Sequence, residues 1–139
     1  MSPALLCAAL LLLLLPGAPA ENSNVTPISI RVSNSVTNAP NKTYSTHVVF
    51  RGILLGGMRR LQRENHCFKF TYTEHADYGP FLESVNGLHG CPKEQTFWEL
   101  RVMSANGIVI TPDVGIGCYI PCANDTIILN YKKFVSGDL

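Results

Sequence analysis

One stretch of this chain repeats its apolar residues at helical spacing, and most of the remaining apolar segments alternate or run short. From Phe50 onward, Phe50, Ile53, Leu54, Gly57 and Leu61 fall at i, i+3, i+4, i+7 and i+11, while Arg51, Arg59, Arg60 and Arg63 point elsewhere. That is the period of one amphipathic helix. Ile28, Ile30 and Val32 alternate with Ser29 and Arg31, and Phe68, Phe70 and Tyr72 alternate with Lys69, Thr71 and Thr73, the period of half-buried strands. Further extended segments run through Thr43 to Val49, Phe81 to Val85 before an Asn86-Gly87 turn, Phe97 to Met103, Ile108 to Ile110, and Thr126 to Tyr131. The predicted fold is therefore α+β, with one helix packed on a mixed or antiparallel sheet of five or more strands. Gly56 and Gly57 each cost about 1 kcal/mol relative to Ala inside a helix, so the pair predicts close packing of helix on sheet. The arginines read as a solvated helix face in preference to a polyanion site.

Length and cysteine usage add the compartment. Residues 1–20 carry an uncharged apolar run from Leu10 to Leu15 and then Ala18 and Ala20, the small pair that a signal peptidase reads. The run falls short of the roughly 20 apolar residues a membrane span needs. Residues 1–20 are thus expected to be a signal peptide and residues 21–139 one secreted, extracellular domain, with no membrane attachment after cleavage. Cleavage removes Cys7 and leaves Cys67, Cys91, Cys118 and Cys122, an even set in an oxidising compartment, so two disulfides are expected. Pairing Phe68–Thr73 with Phe81–Asn86 as a hairpin favours Cys67 with Cys91, leaving Cys118 with Cys122. The second bridge needs a turn through Ile120-Pro121, because four residues of extended chain span about 13 Å against at most about 7 Å between bridged Cα atoms. Three Asn-x-Thr sequons, at Asn24, Asn41 and Asn124, are expected glycosylation sites on solvent-facing loops.

The chain offers little for catalysis. His47, His66, His75 and His89 are scattered, no serine sits at a nucleophile elbow, and Glu74, Asp77 and Glu83 belong to a polar, turn-rich region. Nothing gathers the perturbed, converging groups that an active site requires, and the cysteine spacings do not match zinc half-sites. No enzyme, no metal and no resident cofactor are expected. A net charge of +1 without a clustered basic face argues against nucleic acid. The aromatic residues are more informative. Adjacent strand residues face opposite sides of a sheet, so one of Phe97 and Trp98 is expected to face outward or to lie under a loop, and a presented tryptophan would suit a flat, partly apolar ligand.

Three segments carry a family resemblance: Tyr78-Gly79-Pro80-Phe81-Leu82-Glu83-Ser84-Val85-Asn86-Gly87-Leu88, then Thr96-Phe97-Trp98-Glu99-Leu100, then Gly115-Ile116-Gly117-Cys118-Tyr119-Ile120-Pro121. In order and approximate spacing they resemble the C-terminal β-domain of the cobalamin (vitamin B12) carriers, transcobalamin, intrinsic factor and haptocorrin. An early Ile-x-Val strand, an Asn-Lys-Thr segment and a helix ending in Glu-Asn extend the resemblance over nearly all of residues 21–139. The resemblance implies a noncatalytic, transcobalamin-like binding protein for cobalamin or another corrinoid. Its ligand surface would comprise Asp77, Tyr78, Gly79, Pro80, Phe81 and Leu82, the strand start Trp98, Glu99 and Leu100, and Ile128. The carriers hold their ligand between this domain and a large helical domain, for which this chain has no room. A second protein completing the site, or a receptor, is therefore an expected partner, and the rival expectation is an extracellular interaction module that has lost the ligand. Glu99 departs from the Gln common in the family, and Cys118 and Cys122 stand where the carriers have none.

Overall fold

A computed structural model describes residues 24–77 and 79–134; the leader expected at residues 1–20 and the candidate Tyr78 lie outside the described residues. The order of elements is β1 (Val25–Asn34), β2 (Lys42–Val49), α1 (Leu54–Glu64), β3 (Phe70–His75), β4 (Gly79–Val85), β5 (Leu88–His89), a 3-10 turn (Pro92–Glu94), β6 (Thr96–Met103), β7 (Val109–Ile110) and β8 (Asp125–Lys133). Five strands form one sheet in the order β2-β1-β8-β6-β7, and three form a second sheet in the order β3-β4-β5. The larger sheet is mixed, because β1 runs parallel to β8 while its other pairs are antiparallel.

Alternation along each strand decides what is inside. Trp98, Val102, Ile127, Leu129 and Tyr131 join Ile28, Ile30, Tyr44 and Val48 in one core, into which α1 contributes Leu54, Leu55, Met58 and Leu61. Phe68, fully buried, meets the Tyr44 ring edge-on at 5.2 Å. Leu82 and Val85 of the second sheet close the same core.

The helix starts later than its sequence period suggests. Arg51 adopts a left-handed backbone (φ 62°) and the Gly52 N–H donates to the Val49 carbonyl at 2.7 Å, so a turn intervenes. Phe50 is left 60% exposed. No side chain caps the first turn of α1. Instead the Leu54 and Leu55 N–H groups donate to the carbonyls of Tyr119 (2.8 Å) and Ile116 (2.9 Å), which satisfies two of the donors a helix N-terminus leaves open. The two glycines divide as well. A Cβ on Gly57 would stand 2.7 Å from Val48 Cγ1 and 3.3 Å from Ile28 Cδ1, whereas one on Gly56 would meet nothing within 4 Å. Close packing explains Gly57 and leaves Gly56 unexplained.

The disulfides expected from the sequence are corrected: Cys67, Cys91, Cys118 and Cys122 are all free thiols. The expected hairpin does form, with Phe70 opposite Val85. After the Asn86-Gly87 turn, however, the chain folds back as β5, with Leu88 opposite Val85 and His89 opposite Ser84, and Gly90 N–H donates to the Glu83 carbonyl. That register carries Cys91 toward Leu82, at least about 10 Å along the strands from the end where Cys67 lies. Reciprocal backbone bonds to Thr96, both 3.1 Å, pin it there. In the other pair the turns fall at residues 116–118 and 123–124 rather than through Ile120-Pro121, so nothing folds Cys122 back onto Cys118. The second, three-stranded sheet is the other departure from the expected architecture: the additional strands do not extend the main sheet.

The loop that caps α1 is tied down by one buried carboxylate. Asp125, 3% exposed, accepts from the Tyr119 hydroxyl at 2.8 Å and from the Cys122 N–H at 2.9 Å. Burial, and then the bond to Asp125 and its charge, push the Tyr119 phenol well above its ordinary range, with Cys122 adding to the effect.

Two outcomes are expected. In urea titrations, Gly57→Ala loses about 1–3 kcal/mol through overpacking, while Gly56→Ala gains about 0.5–1 kcal/mol because only the backbone-entropy term changes. In alkaline solution the neutral Tyr119 phenol is favoured by the fold. Its contribution to stability is complete below the unfolded tyrosine pKa of about 10 and is lost as pH rises beyond it. Denaturation midpoints measured from neutral pH upward should fall above that point, and Tyr119→Phe should flatten the decline.

Candidate functional site

The residues singled out from the sequence fall on three surfaces. Asp77 lies exposed in the β3–β4 turn, where its N–H donates to His75 Nδ1 at 3.1 Å. Gly79 opens β4 in a left-handed conformation (φ 74°) that favours glycine, and Pro80 rests against Gly117, where an added Cβ would come within 2.6 Å of the proline ring. The tip of this hairpin is therefore seated on the 115–117 loop. Beyond it, Phe81 points outward at 54% exposure while Leu82 points into the core.

On β6 the parity is clear. Thr96, Trp98 and Val102 are buried, with Leu100 packed against the same core, and Phe97, Glu99 and Arg101 take the opposite face. Cross-strand partners agree: Trp98 lies opposite Tyr131 and Leu100 opposite Leu129, whereas Glu99 lies opposite Asn130 and Arg101 opposite Ile128. Glu99 and Ile128 thus share the outer face. Glu99 reaches Lys132 at 3.7 Å and accepts from Asn130 Nδ2 at 3.4 Å.

Trp98 sits inside at 8% exposure, its ring 5.0 Å from that of Tyr131. Its indole N–H donates to the Leu88 carbonyl at 2.8 Å, and the Tyr131 hydroxyl donates to the next carbonyl, that of His89, also at 2.8 Å. Trp98 also lines a cavity of ≈ 170 Å³ together with Pro40, Val85 and Leu88. The presented aromatic of the Phe97-Trp98 pair is the phenylalanine. Phe97, half-buried, meets Phe134 edge-on at 5.8 Å and lines, together with the β4 residues Phe81 and Leu82, a cavity of ≈ 120 Å³.

Phe97 is not among the residues singled out from the sequence, although its outward position is legible there. Leu100 and Val102 alternate with Glu99 and Arg101, and extending that parity backward puts Trp98 inside and Phe97 out. No such signal exists for the placing of Phe81 and Phe97 on one cavity, since they belong to different sheets.

The asparagines of the three sequons, Asn24, Asn41 and Asn124, are all exposed. Among the described residues, no group of three or more His, Cys, Asp or Glu side chains is gathered to hold a metal ion. No helix among them is long and apolar enough to cross a membrane.

The buried and presented aromatics should respond differently to truncation. Trp98→Ala removes a packed ring and orphans the Leu88 carbonyl, a loss of about 3–5 kcal/mol, whereas Phe81→Ala should stay within about 0.5 kcal/mol of the parent chain. Guanidinium denaturation followed by far-UV circular dichroism separates the two.

Comparison with known proteins places this fold. Rat cobalamin binding intrinsic factor (Rattus norvegicus) is 29% identical over 120 residues, covering 84% of this chain and 27% of that protein. The crystal structure of haptocorrin in complex with Cbi matches with a TM-score of 0.69 at 18% identity, over 81% of this chain and 26% of that one. A Ruminococcus gnavus protein provisionally described as metal binding matches with a TM-score of 0.55 at 16% identity, over 79% of this chain and 99% of that one. The chain spans about a quarter of the length of intrinsic factor and haptocorrin, and the intrinsic factor relative is named for binding rather than for catalysis. The family model described as a domain of unknown function, DUF4430, matches residues 63–133, about half of the chain. The chain belongs to this DUF4430 family, and its resemblance to the C-terminal domain of the transcobalamin-type carriers is borne out by sequence and fold alike.

Proposed function

We propose that this domain is a secreted, noncatalytic binding protein for a corrinoid, cobalamin or a close relative of it, with no resident cofactor of its own. The observation that carries the reading is the similarity to a protein named for binding cobalamin, which runs over 84% of this chain and includes the hairpin and β6 segments described above.

The proposed contact face is the side on which Phe81 and Phe97 converge, flanked by Asp77, Gly79 and Pro80 at the hairpin tip and by Glu99 and Ile128 on the outer face of the large sheet. Such a face suits a broad, partly apolar ring system: two aromatic side chains supply area, and the Glu99 carboxylate with neighbouring Asn130 and Lys132 supplies polar groups at the margin. Trp98, Leu82 and Leu100 act from beneath by holding β4 and β6 in place. A single face desolvates only one side of a ligand, so affinity should be modest. A second protein that covers the other side belongs to the same proposal.

The exposed apolar edge at Ile108, Val109 and Ile110 favours a second reading, a protein-interaction module that no longer takes the ligand. Titration of the purified, glycosylated protein with cobalamin and with cobinamide, followed by visible absorbance and calorimetry, distinguishes them. Saturable binding is expected, weakened several-fold by Phe81→Ala with an unchanged melting temperature. A titration silent in both heat and spectrum at millimolar corrinoid would sink the first reading and leave the second.

A further inference from the structure

Away from that face, the edge strand β2 and the first turns of α1 enclose a groove of ≈ 260 Å³, lined by Val48, Val49, Gly52, Ile53, Gly56 and Arg60. Three observations converge on it. First, Gly56 stands inside a helix, where glycine is unfavourable, yet a Cβ there would meet no atom of the surrounding elements within 4 Å. Packing does not require this glycine, and its effect is to keep the groove open. Secondly, Arg60 Nε is buried without a hydrogen-bond partner, a donor whose desolvation is uncompensated. Thirdly, Arg60 takes part in no ion pair among the described residues, where the pair formed is that of Lys132 with Glu99. Arg51 lies 5.2 Å over the Phe50 ring.

We infer that this groove binds a small amphiphilic carboxylate, of the medium-chain fatty acid kind. Its carboxylate accepts from Arg60, whose planar guanidinium matches two carboxylate oxygens. Its apolar body lies along Val48, Val49 and Ile53 in the space that Gly56 leaves free. A cavity of about 150 Å³ accommodates a benzene-sized molecule, and this one is larger and open at one side, as a short chain requires. The site is separate from the corrinoid face and does not rest on that reading.

Calorimetric titration of the whole protein with sodium octanoate tests it, with 1-octanol as the uncharged analogue. Saturable binding at millimolar octanoate or below is expected, with octanol bound more weakly. Arg60→Gln should weaken octanoate by about tenfold or more, the worth of one charge-assisted hydrogen bond. Gly56→Leu should abolish it while the melting temperature stays at or above that of the parent. Gly56→Ala, adding one methyl to the same wall, should weaken it in the same direction. Absence of saturable heat with the parent protein, equal affinity for octanol and octanoate, or unchanged affinity in both Gly56 variants would each overturn the proposal.

Discussion

Two neighbouring carbonyls decide how the parts of this molecule meet. Leu88 and His89 form β5, a strand of two residues at the edge of the small sheet, and each accepts a hydrogen bond from a large side chain of the other sheet, Trp98 and Tyr131 respectively. The two rings lie side by side in the core. A buried indole or phenol needs a partner for its polar end, and β5 supplies both. Because β5 is also paired to β4, fixing it fixes the hairpin that presents Phe81. Asn86 and Tyr44 reinforce the same junction: the Asn86 amide donates to the Tyr44 hydroxyl, which donates to the Cys67 carbonyl.

The start of α1 is organised by a different device. Carbonyls of the 116–119 loop cap α1, and Asp125 holds that loop through Tyr119 and Cys122. The helix is thereby fixed over β2 and β1 with Gly57 in contact and Gly56 open. One glycine lets two elements approach, and the other leaves space beside an arginine. The proposed ligand face and the arginine groove therefore share one support, the 115–119 loop that seats the hairpin tip and caps α1, and the first depends in addition on the joint between the sheets.

The free cysteines follow from topology. A bridge between Cys67 and Cys91 would require the chain to leave the β3–β4 hairpin at the end where it entered. The short return strand β5 takes it the other way. Stability of the joint then rests on the shared apolar core and on hydrogen bonds from buried aromatic side chains rather than on covalent links.

Much of this was legible in the chain itself. Period-two alternation at Ile28–Val32 and Phe68–Tyr72 marked strands, a single period near 3.6 marked the helix, and the order of three short segments marked the carrier resemblance. These are local signals, set by which side of an element each residue takes. Parity along β6 even held the information that Phe97, not Trp98, faces outward. Local signals could not show that the strands divide into two sheets, that β5 turns back and separates the cysteines, or that a carbonyl from residue 88 would meet an indole from residue 98. Nor could they distinguish Gly56 from Gly57, which are neighbours in the chain and differ only in what lies opposite. Sequence by itself determined the elements and their inner and outer faces, because those depend on residues a few positions apart; tertiary structure alone decided the joint, the free thiols and the two candidate sites, because these depend on which distant backbone and side-chain atoms are brought within bonding distance.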